Sequence, residues 1–185
     1  SFALAGWIKS NFRNKKLDND FLITKEKIEN ARNLFLISAN TGLRVSDFNN
    51  LAKSNIISDK GIDYISITTK KNSKRLTIPI NSMVQSILDK NNGIPPQKMP
   101  DQHINYCLKE IGELAEINEV VEKEITLGGV KKIRKYKKFE LITNHTGRRS
   151  FCTNAYKSGM PTIDIMAISG HSTEKVFYSY IKVDD

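Results

Sequence analysis

His145 and Arg148 stand three residues apart in the stretch TNHTGRRSFCTNAYKSGMPTIDIMAISGHSTEKVFYSYI, residues 143–181. On a helix that spacing turns both side chains to one face, where they can converge on a single substrate atom. A Gly170-His171 dipeptide and Tyr180 follow. An arginine, two imidazoles and a phenol are the equipment of phosphoryl transfer.

Attack on a phosphodiester adds negative charge to the non-bridging oxygens of a crowded transition state. Arginine meets that charge well, because its planar fork binds two oxygens at once and keeps its proton. Arg44, far from Arg148 in sequence, is the second candidate for the clamp, which then needs no metal. Metal clusters are missing in any case: the chain has three histidines and no carboxylate at ligand spacing from them. A tyrosine hydroxyl ionises near pH ~10, so about one molecule in a thousand is phenolate at neutral pH. His145 is the candidate base that takes its proton. The departing 5′ oxygen needs a proton in turn, and Lys71, with Lys70 beside it, is the candidate general acid on a hairpin tip.

The elements that position these groups read as follows. Helices are expected over 25–39, with Thr24 as N-cap and Ile28, Ala31, Leu34, Phe35 and Ile37 as the buried stripe, and again over 43–53, with Arg44 at the junction. GIDYISITT and RLTIPI alternate as two strands around KKNSK, which makes a hairpin with lysines at its tip. Helices over 82–90 and 101–117 flank a loop whose prolines forbid regular structure. A second hairpin is expected around Gly128-Gly129, with six of the eight residues from Lys131 to Lys138 basic. That strand faces phosphates, or it is an edge guarded by lysine. A helix then carries His145 and Arg148, and Gly159-Met160-Pro161 stops it. The next helix ends at Gly170 in the left-handed conformation, which leaves His171 at the turn. A last short helix runs from Glu174 toward Tyr180, at the rim of the same site.

At 185 residues the chain is sized for one domain, mixed α+β and mainly α-helical with small antiparallel hairpins. Its 29 basic and 20 acidic residues give +9, which favours a polyanionic partner such as nucleic acid. Cys107 and Cys152 show no disulfide or C-x-x-C pattern and read as reduced core residues of a cytoplasmic protein. No apolar run reaches membrane-spanning length, and no signal peptide is seen. The chain begins at Ser1 without methionine, as a piece of something longer would. Residues 1–21 read as a linker or tail.

T-G-L-R-V-S-D at 41–47, the lysine-tipped hairpin, H-T-G-R-R-S at 145–150, S-G-H at 169–171 and Tyr180, in that order, resemble the catalytic domain of the tyrosine recombinases, or phage integrase family. The long second hairpin is similar to that of mobile-element integrases of Bacteroides-like bacteria. The resemblance covers about residues 22–182, within a catalytic domain expected over 22–185, and implies the DNA breaking-rejoining fold, without the amino-terminal core-binding domain. It implies Arg44, Lys71, His145, Arg148 and His171 as catalytic residues and Tyr180 as nucleophile, with Tyr178 as the alternative. Lys70, Lys74, Arg75 and Arg149 are then DNA contacts. It further implies metal-free cleavage and rejoining of double-stranded DNA through a 3′-phosphotyrosyl link. No cofactor is implied. The full-length form is expected as a synaptic homotetramer and this chain alone as a monomer. Other readings are a type IB topoisomerase-like activity, a non-catalytic DNA-binding accessory protein and a metal-free nuclease using His145 and His171. Two positions depart from the family pattern. Gly147 and Ser169 replace apolar residues, read as a small helix-stability loss and a packing loss respectively. Asp47 reads as structural, capping its helix or orienting Arg44.

Overall fold

The computed structural model describes residues 14–17 and 21–181. They divide into two compact units, Ser1–Arg32 with Pro100–Thr143, and Asn33–Met99 with Asn144–Asp185. Helix α1 (Lys25–Thr41), the first among the described residues, contributes its residues through Arg32 to the first unit and the remainder to the second.

In the first unit, strand β1 (Lys15–Lys16) pairs antiparallel with β2 (Leu22–Ile23). Strand β1 falls in the stretch 1–21 expected as a tail, most of which lies outside the described residues, and β2 lies just beyond it. Thr24 caps α1 as anticipated, its hydroxyl accepting the Lys27 N–H at 3.3 Å. Phe21 stacks on His103 at 3.8 Å between ring centroids, and the Lys27 ammonium sits 4.4 Å from the same ring. The helix bearing His103, numbered α4 here (Asp101–Leu114), buries Ile104, Cys107 and Leu108 at helical spacing. It ends three residues before the expected boundary.

The second expected hairpin is present in this unit as β6 (Val120–Leu127) and β7 (Val130–Lys137). Strand alternation sorts its charges. On one face the Lys131 and Lys135 ammonium groups pair with Glu124 at 2.8 Å and Glu122 at 3.4 Å. The other face carries Lys123, Lys132 and Arg134 with Val121, Ile125 and Tyr136, and no carboxylate. Lys123 stands directly opposite Arg134, an arrangement that works against the hairpin's own stability. Beyond β7 the strand does not continue as its composition suggested. Residues Lys138–Leu141 turn into a 3-10 helix because the Glu140 carboxylate reaches back to the Lys137 N–H at 2.6 Å.

The second unit holds a three-stranded antiparallel sheet in the order β3 (Ile56–Asp59), β4 (Ile62–Thr68), β5 (Arg75–Pro79). The β4–β5 hairpin is the one with the lysine tip; β3 was not expected. Ile65, Ile67, Leu76 and Ile78 turn one face of the sheet into the core. Helix α2 is only Val45–Phe48, shorter than the expected 43–53. It stops because the Asn49 side chain pairs with the Met99 backbone instead, accepting its N–H at 3.0 Å and donating to its carbonyl at 2.6 Å. Helix α3 (Ser82–Asp89) follows, capped by Asn81.

The chain of this unit closes with α5 (Asn144–Lys157), α6 (Thr162–Ser169) and α7 (Glu174–Tyr178). Cys152, Ala155, Ile165 and Phe177 form their shared core. Gly170 ends α6 at φ 71°, and the His171 N–H returns to the Met166 carbonyl at 3.2 Å, which fixes His171 at the turn. Among the described residues no helix is long and apolar enough to cross a membrane.

Candidate active site

Arg44, Lys71, His145, Arg148 and Tyr180 line one cleft of about 220 Å³ in the second unit, with Leu43, Val45, Ser46 and Asn144 completing its wall. His171 borders it, its ring 4.6 Å from that of Tyr180. All six residues read as catalytic therefore meet, although they come from the α1–α2 junction, the hairpin tip, α5, the turn after α6 and the turn after α7.

Arg148 is the hub, only 1% exposed. Its Nη1 donates to the carbonyls of Gly42 and Ser169, both at 2.5 Å, and its Nη2 meets His171 Nε2 at 2.9 Å. Burial depresses its proton affinity most, followed by the Arg44 charge, while Tyr180 and Cys152 act the other way. Arg44 Nη2 donates to the Gly170 carbonyl at 3.4 Å. Arg44 Nη1 and Arg148 Nε are buried and make no hydrogen bond. A guanidinium held by carbonyl oxygens while two of its neighbourhood's donors stay unpaired is a site suited to anionic oxygen.

Both imidazoles are neutral at physiological pH. Burial, then the charges of Arg148 and Arg44 and the proximity of His145, push His171 down to about 3. His145 is lowered by burial first and then by Arg148, Arg149 and Arg44. A neutral His145 is able to accept a proton, and its ring lies edge-on to Tyr180 with centroids 5.1 Å apart.

Tyr180 sits in the turn after α7, its N–H bonded to the Phe177 carbonyl at 2.8 Å and its carbonyl accepting from Thr153 Oγ1 at 3.3 Å. The Arg148 and Arg149 guanidinium carbons lie 5.3 and 6.0 Å from its ring. Tyr178 points elsewhere: it is 48% exposed and packs on Tyr156 and Phe177.

At the hairpin tip Lys71 lines the cleft and Lys70 does not. Asp47 explains the difference, since its Oδ1 accepts the Lys70 N–H at 3.0 Å and ties the tip to α2. Asp47 thus neither caps its helix nor pairs with Arg44, as had been expected of it. Lys74 and Arg75 are exposed where the chain enters β5. Arg149 is held locally, its Nη2 donating to the Ser179 carbonyl at 3.4 Å. Among the described residues no group of three or more His, Cys, Asp or Glu side chains is placed to hold a metal ion.

The model of the phage integrase family matches residues 16–185. The chain belongs to that family. The XerH site-specific recombinase bound to palindromic difH substrate, in a post-cleavage complex, is similar with a TM-score of 0.60 and 16% identity, covering 95% of this chain and 51% of that one. The Tn1549 transposon integrase in complex with circular intermediate DNA is similar at 0.56 and 15%, covering 100% and 59%. The XerA recombinase is similar at 0.57 and 20%, covering 96% and 63%. No curated protein sequence matches the chain. At these identities the likeness shows the fold, that of the tyrosine recombinase catalytic domain. The chain spans between half and two-thirds of the length of those structures.

Within this integrase-family fold the two departures acquire reasons. A side chain at Gly147 would start 3.1 Å from the Ser38 side chain and 3.2 Å from the Phe35 carbonyl, so glycine lets α5 lie close against α1. Ser169 is not a packing loss. Its hydroxyl bonds to the Ile165 carbonyl at 2.6 Å and meets His171 Nδ1 at 2.7 Å. The carbonyls of Gly42, Ser169 and Gly170, which hold both arginines, were not foreseen. Backbone acceptors carry no signature in residue type.

Proposed function

We propose that this chain is the catalytic domain of a site-specific DNA recombinase, with Tyr180 as nucleophile. The observation that carries this reading is the pair of guanidinium groups, Arg44 and Arg148, lining one phosphate-sized cleft with Lys71, His145 and Tyr180.

In the proposed reaction the two arginines bind the non-bridging oxygens of a DNA phosphate and gain most as charge builds there. The Tyr180 oxygen attacks phosphorus while His145 takes the phenol proton. Lys71 gives a proton to the departing 5′ oxygen. A 3′-phosphotyrosyl link and a free 5′ hydroxyl result. The hydroxyl of another strand then attacks the link, and the same groups run the transfers backward. Each phosphodiester bond is exchanged for another, so the sequence of steps needs no nucleotide energy source.

Double-stranded DNA is the partner this reading requires, and the DNA complexes of the similar recombinases and integrases support it. The transposon integrase among them supports a mobile-element origin; the Bacteroides-type assignment rests on the long β6–β7 hairpin. In this reading residues 22–185 are the catalytic domain, the amino-terminal core-binding domain belongs to the longer protein, and a homotetramer forms on two duplexes in the cytoplasm. Lys70, Lys74, Arg75 and Arg149 supply phosphate contacts around the cleft.

Incubation with a pool of random-sequence duplexes bearing a single 5′-bridging phosphorothiolate tests the chemistry. The thiolate leaves without a proton, since a thiol ionises near pH ~8.5, and the trapped protein–DNA adduct is read on a denaturing gel. An adduct is expected for wild type and none for Tyr180→Phe. An adduct that persists in the phenylalanine variant refutes the assignment. Joining of two marked duplexes, as opposed to relaxation of a supercoiled circle alone, separates recombinase from topoisomerase.

A further inference from the structure

Ser169 sits in the last turn of α6 with 1% of its surface exposed, and its hydroxyl has a single proton to place. The Ile165 carbonyl, 2.6 Å away, has none to give, so that contact is a hydrogen bond only when the serine donates. The His171 Nδ1 contact at 2.7 Å must then run the other way, with Nδ1–H donating to the serine oxygen. The far side of the ring gives the same answer independently. Arg148 Nη2 carries only donors, so His171 Nε2 at 2.9 Å is the acceptor and bears no proton.

We infer that Ser169 is a positioning residue, which holds His171 as the Nδ1–H tautomer and through it aims the Arg148 guanidinium at the cleft. The relay runs from Arg148 Nη2–H to His171 Nε2, and from His171 Nδ1–H through the Ser169 hydroxyl to the Ile165 carbonyl. The opposite tautomer would set an Nε2–H against Nη2–H, two donors face to face, and the arginine fork would have to leave the Gly42 and Ser169 carbonyls. A leucine at this place offers neither donor nor acceptor. The same serine works twice, its carbonyl holding Nη1 and its side chain fixing the partner of Nη2. The groups that face the His171 ring are Arg148 and His145 from α5, Arg44 from the α1–α2 junction, and Phe177 and Tyr180 from α7 and its turn. None supplies an acceptor for Nδ1–H in place of Ser169.

The catalytic part of this inference rests on the recombinase reading; the tautomer does not. Long-range proton–nitrogen correlation spectra of the DNA-free chain, labelled with ¹⁵N at histidine, report the ring state directly. At pH 7.5 the expected His171 pattern is a neutral ring protonated at Nδ1. A ring protonated at Nε2, or at both nitrogens, overturns the inference. In Ser169→Ala the single-tautomer pattern is expected to be lost, and adduct formation on the phosphorothiolate duplexes should slow by about tenfold to a hundredfold, the range expected when one buried donor loses its partner. A double-mutant cycle with His171→Ala separates positioning from general destabilisation. Ser169→Ala should cost far less in the His171→Ala background, and equal cost in both backgrounds overturns the relay. If wild type forms no Tyr180-linked adduct, the recombinase reading fails while the spectra and a cycle on unfolding free energy still decide Ser169.

Discussion

Acidification isolates the burial of His171. In the unfolded chain its imidazole takes a proton near pH ~6.5, whereas in the folded protein burial and the Arg148 charge hold it at about 3. Between those values the unfolded state binds a proton that the native state refuses, so stability rises with pH across the window and falls as pH drops through it. The loss is complete only below pH 3, and at pH 5.0 it has reached about 2 kcal/mol relative to pH 7.5, from the ratio of the two binding polynomials. For a chain of this length that corresponds to a drop of about 4–8 °C in melting temperature. His145, also lowered, adds in the same direction. The assay is urea unfolding of wild type and His171→Gln at both pH values, compared by midpoint at constant slope. The variant starts less stable, because it leaves Arg148 Nη2 and Ser169 poorly paired, but its acid loss should be smaller than that of wild type by about 2 kcal/mol. Parallel losses in the two proteins would mean that His171 titrates freely, and the buried neutral ring from which its partnership with Arg148 was argued would be wrong.

Other perturbations probe separate parts of the site. Gly42→Ala puts a methyl 2.6 Å from Phe151 Cδ1 at φ +68° and should cost about 2–4 kcal/mol, from the left-handed backbone and from overpacking. Cleavage should fall with it, since the Gly42 carbonyl holds Arg148; unchanged melting would refute the packing argument. Lys71→Ala should slow cleavage of ordinary duplex by about 10²–10⁴-fold and be largely rescued by a 5′-bridging sulfur. Equal loss on both substrates would remove Lys71 as general acid. Lys132→Ala with Arg134→Ala should reduce the slope of log affinity for duplex DNA against log salt by about 1.8, at roughly 0.9 per lost phosphate contact. Lys131→Ala with Lys135→Ala, already paired to Glu124 and Glu122, should reduce it less. Equal effects from the two pairs would show that the carboxylate-free face of β6–β7 has no special part in binding.

What the sequence disclosed depended on how each contact is encoded. Periodic burial is written in residue type, so the stripe of α1 and both hairpins were legible, as was the Gly170 cap that places His171. That six candidate side chains would gather at one cleft was legible too, from their order and the family resemblance that order carries. Contacts made by backbone atoms or by one polar side chain reaching elsewhere were not. Asn49 looks helical beside Phe48, yet its amide serves the Met99 backbone and ends α2 early. Residues Ile56–Asp59 alternate too briefly to announce β3, and their pairing with β4 supplies what the pattern lacks. Ser169 was misread because its value lies in one rotatable proton whose acceptor is set by α6 and whose donor comes from the turn beyond it.

The resting cleft also explains why the arginines are held by carbonyls and not by carboxylates. A carboxylate partner would neutralise Arg148 well, but a phosphate would have to displace it and carry off most of the gain. Carbonyl oxygens and a neutral imidazole offer weaker partners that orient the fork while leaving its charge in place. Asp47, the acid nearest in sequence to Arg44, is turned to the Lys70 backbone. Arg44 Nη1 and Arg148 Nε therefore remain without acceptors, and the Arg44 charge holds the proton affinity of Arg148 down, so negative charge placed between them is favoured. In the proposed reaction that charge is greatest on the non-bridging oxygens during attack, so the largest electrostatic gain would fall in the step in which Tyr180 meets phosphorus.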